Sequence, residues 1–300
     1  MFPAFLTAFF FSFSGVCASR STRLIGPIKA NFYRLVFGFA CLALYAYTLG
    51  QGHRGPGLVW FMVSGAVGVG LGDTATFLAI RRIGPRLSVM LVQCLTAPIG
   101  AVVEWLWLGT RLTPFQMMGS AVILLGSGLA LWPEKKIDIS PALLRAGIIF
   151  GSLGALGQAL GAVITRKADE TNAIAHLHVN GMTAAYQRMV GALIVGIIIY
   201  YAIELFLRRK RTHMIVPTAV LQKAAPWIVL NALSGLVLGI SCYQWALQNT
   251  ATGIVLAIVA TTPLIVMPMA YLLDNDRPSR RALLGGVVAV VGVLVIKFLG

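Results

Sequence analysis

The sequence predicts an all-α membrane protein of ten transmembrane helices, arranged as two inverted five-helix repeats. Three observations carry this. Residues are 58% hydrophobic and 11% charged, with a mean hydropathy of +0.85, whereas in soluble domains about a quarter of residues are charged. The chain divides into ten apolar stretches of bilayer-spanning length. Its two halves also repeat each other in order. Backbone groups in lipid must be satisfied within the spanning element, and the alternating ten-residue pattern of a barrel is absent, so the spans are helices.

The first span, 2–19, closes at Arg20, Arg23 and the Gly26–Pro27 pair, and the second, 29–49, at Gly50 and Pro56. The third, 57–80, is followed by Arg81, Arg82 and Pro85, which separate it from the fourth, 85–107; Gly109 and Pro114 then introduce the fifth, 114–132. Pro133 and Pro141 bracket the linker to the sixth span, 142–165, which ends at Arg166 and Lys167. The seventh, 178–206, runs into Arg208 to Arg211, and the eighth, 226–247, into Asn249 and Thr250. Asp274 and Pro278 separate the ninth, 251–273, from the tenth, 279–298. Gly and Pro with charged residues are the expected punctuation. The halves are 1–132 and 142–300, joined by 133–141.

Trp60, Gly68 and Gly72 recur as Trp227, Gly235 and Gly239, and Thr96 and Pro98 as Thr261 and Pro263. Gly119 and Gly126 recur as Gly285 and Gly292, and Arg34 and Gly38 are loosely echoed by Arg188 and Gly191. Ordered correspondence of this kind marks a duplication. Five helices per copy turn the second copy upside down relative to the first, the inverted repeat of many secondary transporters. No basic residue precedes the first apolar span, which argues for a retained helix over a signal peptide, and the repeat needs it as the partner of 142–165.

Seventeen Lys and Arg residues fall at one set of helix ends and only Arg54, Arg111, Arg166, Lys167 and Lys297 at the other. The positive-inside rule then puts the basic loops in the cytoplasm and both termini outside, in a multi-pass protein of the inner (cytoplasmic) membrane. Topology and attraction to anionic lipid account for the +15 net charge, so nucleic acid is not an expected partner. Membrane lipid and a small-molecule substrate are, and a homodimer stays open.

Charges well inside spans carry the most weight, because an unpaired one costs at least about 2.5–3.5 kcal/mol, and four matter here: Arg34, Asp73, Glu104 and Arg188. Depth predicts the pairs Arg34–Asp73 and Glu104–Arg188, one on each side of the midplane, as a gate or coupling element or as fixed ion pairs. Neither acid is repeated: Ile240 stands where the second half would place Asp73, and roughly Met269 for Glu104. Helical spacing gives three polar stripes as candidate substrate-cavity walls or interhelical hydrogen-bonding faces: Gln93, Thr96, Gly100 and Glu104; Gln158 among Gly151, Gly154, Gly161 and Thr165; and Asn231, Ser234, Ser241, Trp245 and Gln248. Gly68, Gly72, Gly235 and Gly239 are expected to serve close helix packing, since no Gly-Lys-Ser/Thr follows to make a phosphate loop. Cys17, Cys41, Cys94 and Cys242 lack metal or redox spacing, and His176 with His178 lacks the ligands to complete a zinc set. Hence no metal, cofactor or catalytic residue is expected.

The order of these features resembles the drug/metabolite transporter superfamily, and within it the EamA-type family. The likeness spans nearly the whole chain. It rests on the ten spans, on Arg34 and Arg188 early in the second helix of each half, and on Pro98 and Pro263. It rests also on the endings of the halves: Leu108 to Thr113 before Gly119 and Gly126, and Asp274 to Ser279 before Gly285 and Gly292. Thr110 departs from the family's usual Glu, with Asp276 at the corresponding place. The resemblance implies alternating access around a central cavity, and includes exporters of amino acids and other small metabolites; it also implies cytoplasmic termini, opposite to the charge bias. A flippase for lipid or lipid-linked substrates is the alternative, and a membrane-embedded enzyme lacks an assembled nucleophile, base or metal.

Overall fold

The computed structural model describes residues 1–132, 139–209, 216–262, 264–265 and 280–299. Part of the 133–141 linker, Pro263, Met269 and the motif from Asp274 to Ser279 lie outside the described residues, as do Lys210 and Arg211. Ten helices appear among the described residues. They are α1 (Phe2–Ile25), α2 (Pro27–Thr48), α3 (Leu58–Gly84), α4 (Leu87–Leu108), α5 (Pro114–Leu131), α6 (Pro141–Ile174), α7 (Gly181–Arg209), α8 (Thr218–Asn249), α9 (Thr252–Val259) and α10 (Arg280–Leu299).

Two helix junctions use the same device. Gly26 (φ 82°) ends α1 and Pro27 begins α2; Gly84 (φ 77°) ends α3 and Pro85 follows. A Cβ at either glycine would meet nothing within 4 Å, so it is the left-handed backbone, not space, that asks for glycine, and proline then starts the next helix with φ preset. The start of α5 is fixed by a capping box between Thr113 and Gln116 with Pro114 at the first turn, and that of α6 by Ser140, whose hydroxyl accepts from the Leu143 N–H at 3.4 Å.

The contacts between helices follow the repeat. α3 packs on α6 and α7, and its counterpart α8 packs on α1 and α2, while α2 meets α7, α4 meets α9 and α5 meets α10. At the α5–α10 contact, Gly119 lies against Gly292 and Gly126 against Gly285. The crossed order shows that the two helices run antiparallel, as equivalent helices of inverted repeats must. Gly68 and Gly72 of α3 meet Gly161 and Gly157 of α6, and Gly235 and Gly239 of α8 meet Ser14 and Phe11 of α1.

The core gathers on α9, every residue of which from Thr252 to Val259 is buried. By contrast α10 turns Leu283, Leu284, Val287, Val290, Val291 and Leu294 outward. Apolar side chains on the outside and polar ones within are what lipid as solvent selects.

Candidate functional site

Both α3 and α8 change helical type at their middles. The eight residues Ala66–Asp73 and the eight residues Ala232–Gly239 are π-helical, and they occupy corresponding places in the two halves. Wide turns of this kind concentrate at functional sites. Between them lies a cavity of about 230 Å³, lined by α1 to α4 and α6 to α9. Its lining is nearly two-fold: Gly68, Val69, Asp73 and Thr76 on α3 answer Gly235, Leu236, Ile240 and Tyr243 on α8, and Arg34 answers Arg188. Phe11, Ser14, Phe77, Gln93 and Gln158 add to the wall.

The two arginines differ in what surrounds them. Arg34 forms an ion pair through Nη2 with Asp73, donates from Nε to the Asn31 carboxamide oxygen at 2.8 Å, and lies over the Phe77 ring at 5.2 Å. Asp73 also lies 3.5 Å from the Gln158 amide nitrogen. Arg188 is 4% exposed. Its Nη1 makes two long contacts, 3.5 Å to Thr165 Oγ1 and 3.4 Å to Gln244 Oε1, and its guanidinium lies 5.6 Å from the centre of the Tyr243 ring. Nη2 approaches Gly68 and Gly161 so closely that a Cβ on Gly68 would stand 2.5 Å from it. No carboxylate lies within ion-pairing distance of Arg188 among the described residues.

The predicted Glu104–Arg188 pair is therefore corrected. Glu104, 2% exposed, pairs instead with Arg166 of α6 at 2.5 Å and accepts the Thr252 N–H at 2.7 Å, so its charge sits at the N-terminus of α9, where the helix dipole favours an anion. Depth along a helix does not fix the direction in which each helix face points. The sequence reads Arg166 as a loop residue beyond a sixth span that ends at Thr165, whereas α6 runs on to Ile174 and carries Arg166 within it. Arg166 further donates from Nη1 to the Leu247 and Thr250 carbonyls, both at 2.8 Å, tying α4, α6, α8 and α9 together.

The polar stripe predicted on α8 does not line the cavity as a unit. Asn231 is buried and accepts from the Ser14 hydroxyl at 2.6 Å; Ser234 and Ser241 bond back to the carbonyls of Leu230 and Val237; Trp245 is 46% exposed on the outer side. The physical reason is the π segment between them. A π turn holds one more residue than an α turn, and one extra residue rotates everything beyond it by about 100°. A stripe counted at α-helical spacing through Ala232–Gly239 thus splits onto different faces. On α4 the stripe also divides: Gln93 reaches the cavity, Thr96 bonds back to Val92 at 2.6 Å, and Gly100 packs beneath Leu256.

On the side of the membrane that carries both termini, the halves are held by polar contacts that spacing did not reveal. His53, in the loop after α2, is hydrogen-bonded through Nδ1 to the Tyr47 hydroxyl at 2.9 Å and through Nε2 to the Tyr186 hydroxyl at 3.0 Å. Gln187 donates to the Gly52 and Arg54 carbonyls at 2.9 Å, and Asn172 accepts the Gly57 N–H at 2.8 Å. The available signal was compositional: the loop with Gln51, His53 and Arg54 is unusually polar for this chain.

Two interlocked inverted repeats around a central charged cavity are an architecture shared by many membrane transporters. The sequence profile of the EamA-like transporter family matches residues 1–132 and again 145–298, and the chain belongs to that family. A protein known from its crystal structure superposes with a TM-score of 0.78 over 99% of this chain and 96% of its own, at 15% identity, which shows a common fold. No curated protein matches the chain.

Proposed function

We propose that this protein carries a small polar metabolite, an amino acid or related compound, across the cytoplasmic membrane by alternating access, with export as its direction. The carrying observation is the cavity shared by α1 to α4 and α6 to α9, whose wall includes Arg34, Asp73, Gln93, Gln158 and Arg188. Charged and amide groups gathered near the midplane are costly in a membrane and are retained where a solute needs them. A volume of about 230 Å³ lies below the roughly 300–1,000 Å³ usual for drug-sized ligands and suits a compact solute. Export follows from the resemblance to metabolite exporters. With the basic loops in the cytoplasm, the Arg34–Asp73 pair is the cytoplasmic member of the gating elements. The Glu104–Arg166 cluster is the outer one.

The test is metabolite profiling of cells with and without the protein, then uptake of the candidates by proteoliposomes. Accumulation of one compound outside expressing cells, with saturable uptake in vesicles, is the expected result. Lipid scrambling in the same vesicles without solute movement would replace this reading with the flippase alternative.

A further inference from the structure

The first half of the cavity holds an arginine and a carboxylate in contact; in the second half, among the described residues, the arginine has only neutral neighbours, Thr165, Gln244 and Tyr243, within contact. Arg34 meets Asp73, but at the position equivalent to Asp73 the second half has Ile240, which also lines the cavity. Arg188 is buried to 4% exposure, its Nε has no hydrogen-bond partner among the described residues, and its Nη1 contacts, at 3.4 and 3.5 Å, go to neutral oxygens. A guanidinium keeps its charge at any physiological pH and offers five donors in a fork that fits a carboxylate.

The geometry points to Arg188 as the receptor for a carboxylate on the transported solute, which takes the place that Asp73 fills beside Arg34. This rests on the transport reading and narrows its substrate class to compounds bearing one carboxylate. One unpaired guanidinium matches a singly charged group better than a phosphate ester. Gly68 is part of the receptor, because a side chain there would press on Nη2. Cavity walls from Phe11, Leu236 and Tyr243 leave the remainder of the solute beside apolar and aromatic surface.

The symmetry itself supplies the test. Ile240→Asp installs the missing carboxylate. In the full-length protein in detergent it should raise the melting temperature and abolish carboxylate binding, whereas in an Arg188→Gln background the same change should lower the melting temperature. Independently, the unmodified protein is heated with acetate, glycine, leucine and phenylalanine, each beside the amide that removes its carboxylate charge, and with chloride and inorganic phosphate. At least one carboxylate should stabilise it where its amide does not, and Arg188→Gln should weaken that binding roughly tenfold to a hundredfold. The inference is overturned if Ile240→Asp destabilises equally with and without Arg188, if acids and amides act alike, or if chloride or phosphate alone stabilises. Transport in proteoliposomes of a solute that has no carboxylate would overturn it while leaving the transport reading intact. Arg188-dependent carboxylate binding without any vesicle uptake would do the reverse.

Discussion

Replacing Glu104 by Ala removes a carboxylate that is 2% exposed and leaves two groups without their partner, the Arg166 guanidinium at 2.5 Å and the Thr252 N–H at 2.7 Å. Breaking one side of a buried pair costs about 3–5 kcal/mol. The Arg166 side chain is 23% exposed and keeps its bonds to the Leu247 and Thr250 carbonyls, so the lower end, about 3 kcal/mol, is expected. Two double-mutant cycles then separate the observed partner from the one predicted by depth. Glu104→Ala with Arg166→Ala should show a coupling of about 1–3 kcal/mol, and Glu104→Ala with Arg188→Ala should be additive to within about 0.5 kcal/mol, because the second pair shares no contact. Reversible unfolding in mixed micelles with increasing dodecyl sulfate, followed by tryptophan fluorescence, measures both. Coupling to Arg188 as large as to Arg166 would refute the pairing described here.

Four further outcomes are expected. Gly126→Ala or Gly285→Ala places a Cβ against the facing backbone of α5 or α10 and should cost about 1–3 kcal/mol, seen as loss of folded protein in size-exclusion chromatography, whereas Gly128→Ala, whose Cβ would stand 3.6 Å from the Cys94 sulfur, should be tolerated. The double variant Arg34→Ala/Asp73→Ala should insert and fold yet transport poorly, and parent-rate uptake in vesicles would remove the pair from any gating role. Gln158→Ala, on the cavity wall, should weaken solute affinity, while Trp245→Ala, on the outer side, should leave it within about twofold; binding titrations decide, since residues away from the site change local free energies little. Alkaline phosphatase fused after Gly300 should be active and a fluorescent-protein fusion dark, as the charge bias demands; the opposite pattern would put the termini in the cytoplasm.

Much of this protein was legible in its sequence because the bilayer reduces folding to few choices. Lipid demands helices, length demands spans, and five helices per repeat demand inversion. Gly119, Gly126, Gly285 and Gly292 stood out by order alone, and the structure shows why: their backbones touch across α5 and α10. Depth, too, could be counted along each helix, which is how Arg34 and Asp73 were brought together.

Azimuth could not be counted. It depends on every turn between two residues, and the π segments at Ala66–Asp73 and Ala232–Gly239 shift it without a sign in the apolar residues that form them. For that reason the α8 stripe scattered, with Trp245 turned outward and Tyr243 turned in. Partner choice was equally hidden, since Glu104 had cations at similar depth on α6 and α7 and only packing set Arg166 beside it. The sequence by itself determined the helices, their number and the inverted repeat, because each follows from transfer of the chain into lipid. Only the tertiary structure decided which charges are paired and which, like Arg188, have no carboxylate within ion-pairing distance among the described residues, because that depends on rotations about helix axes that hydrophobicity does not specify.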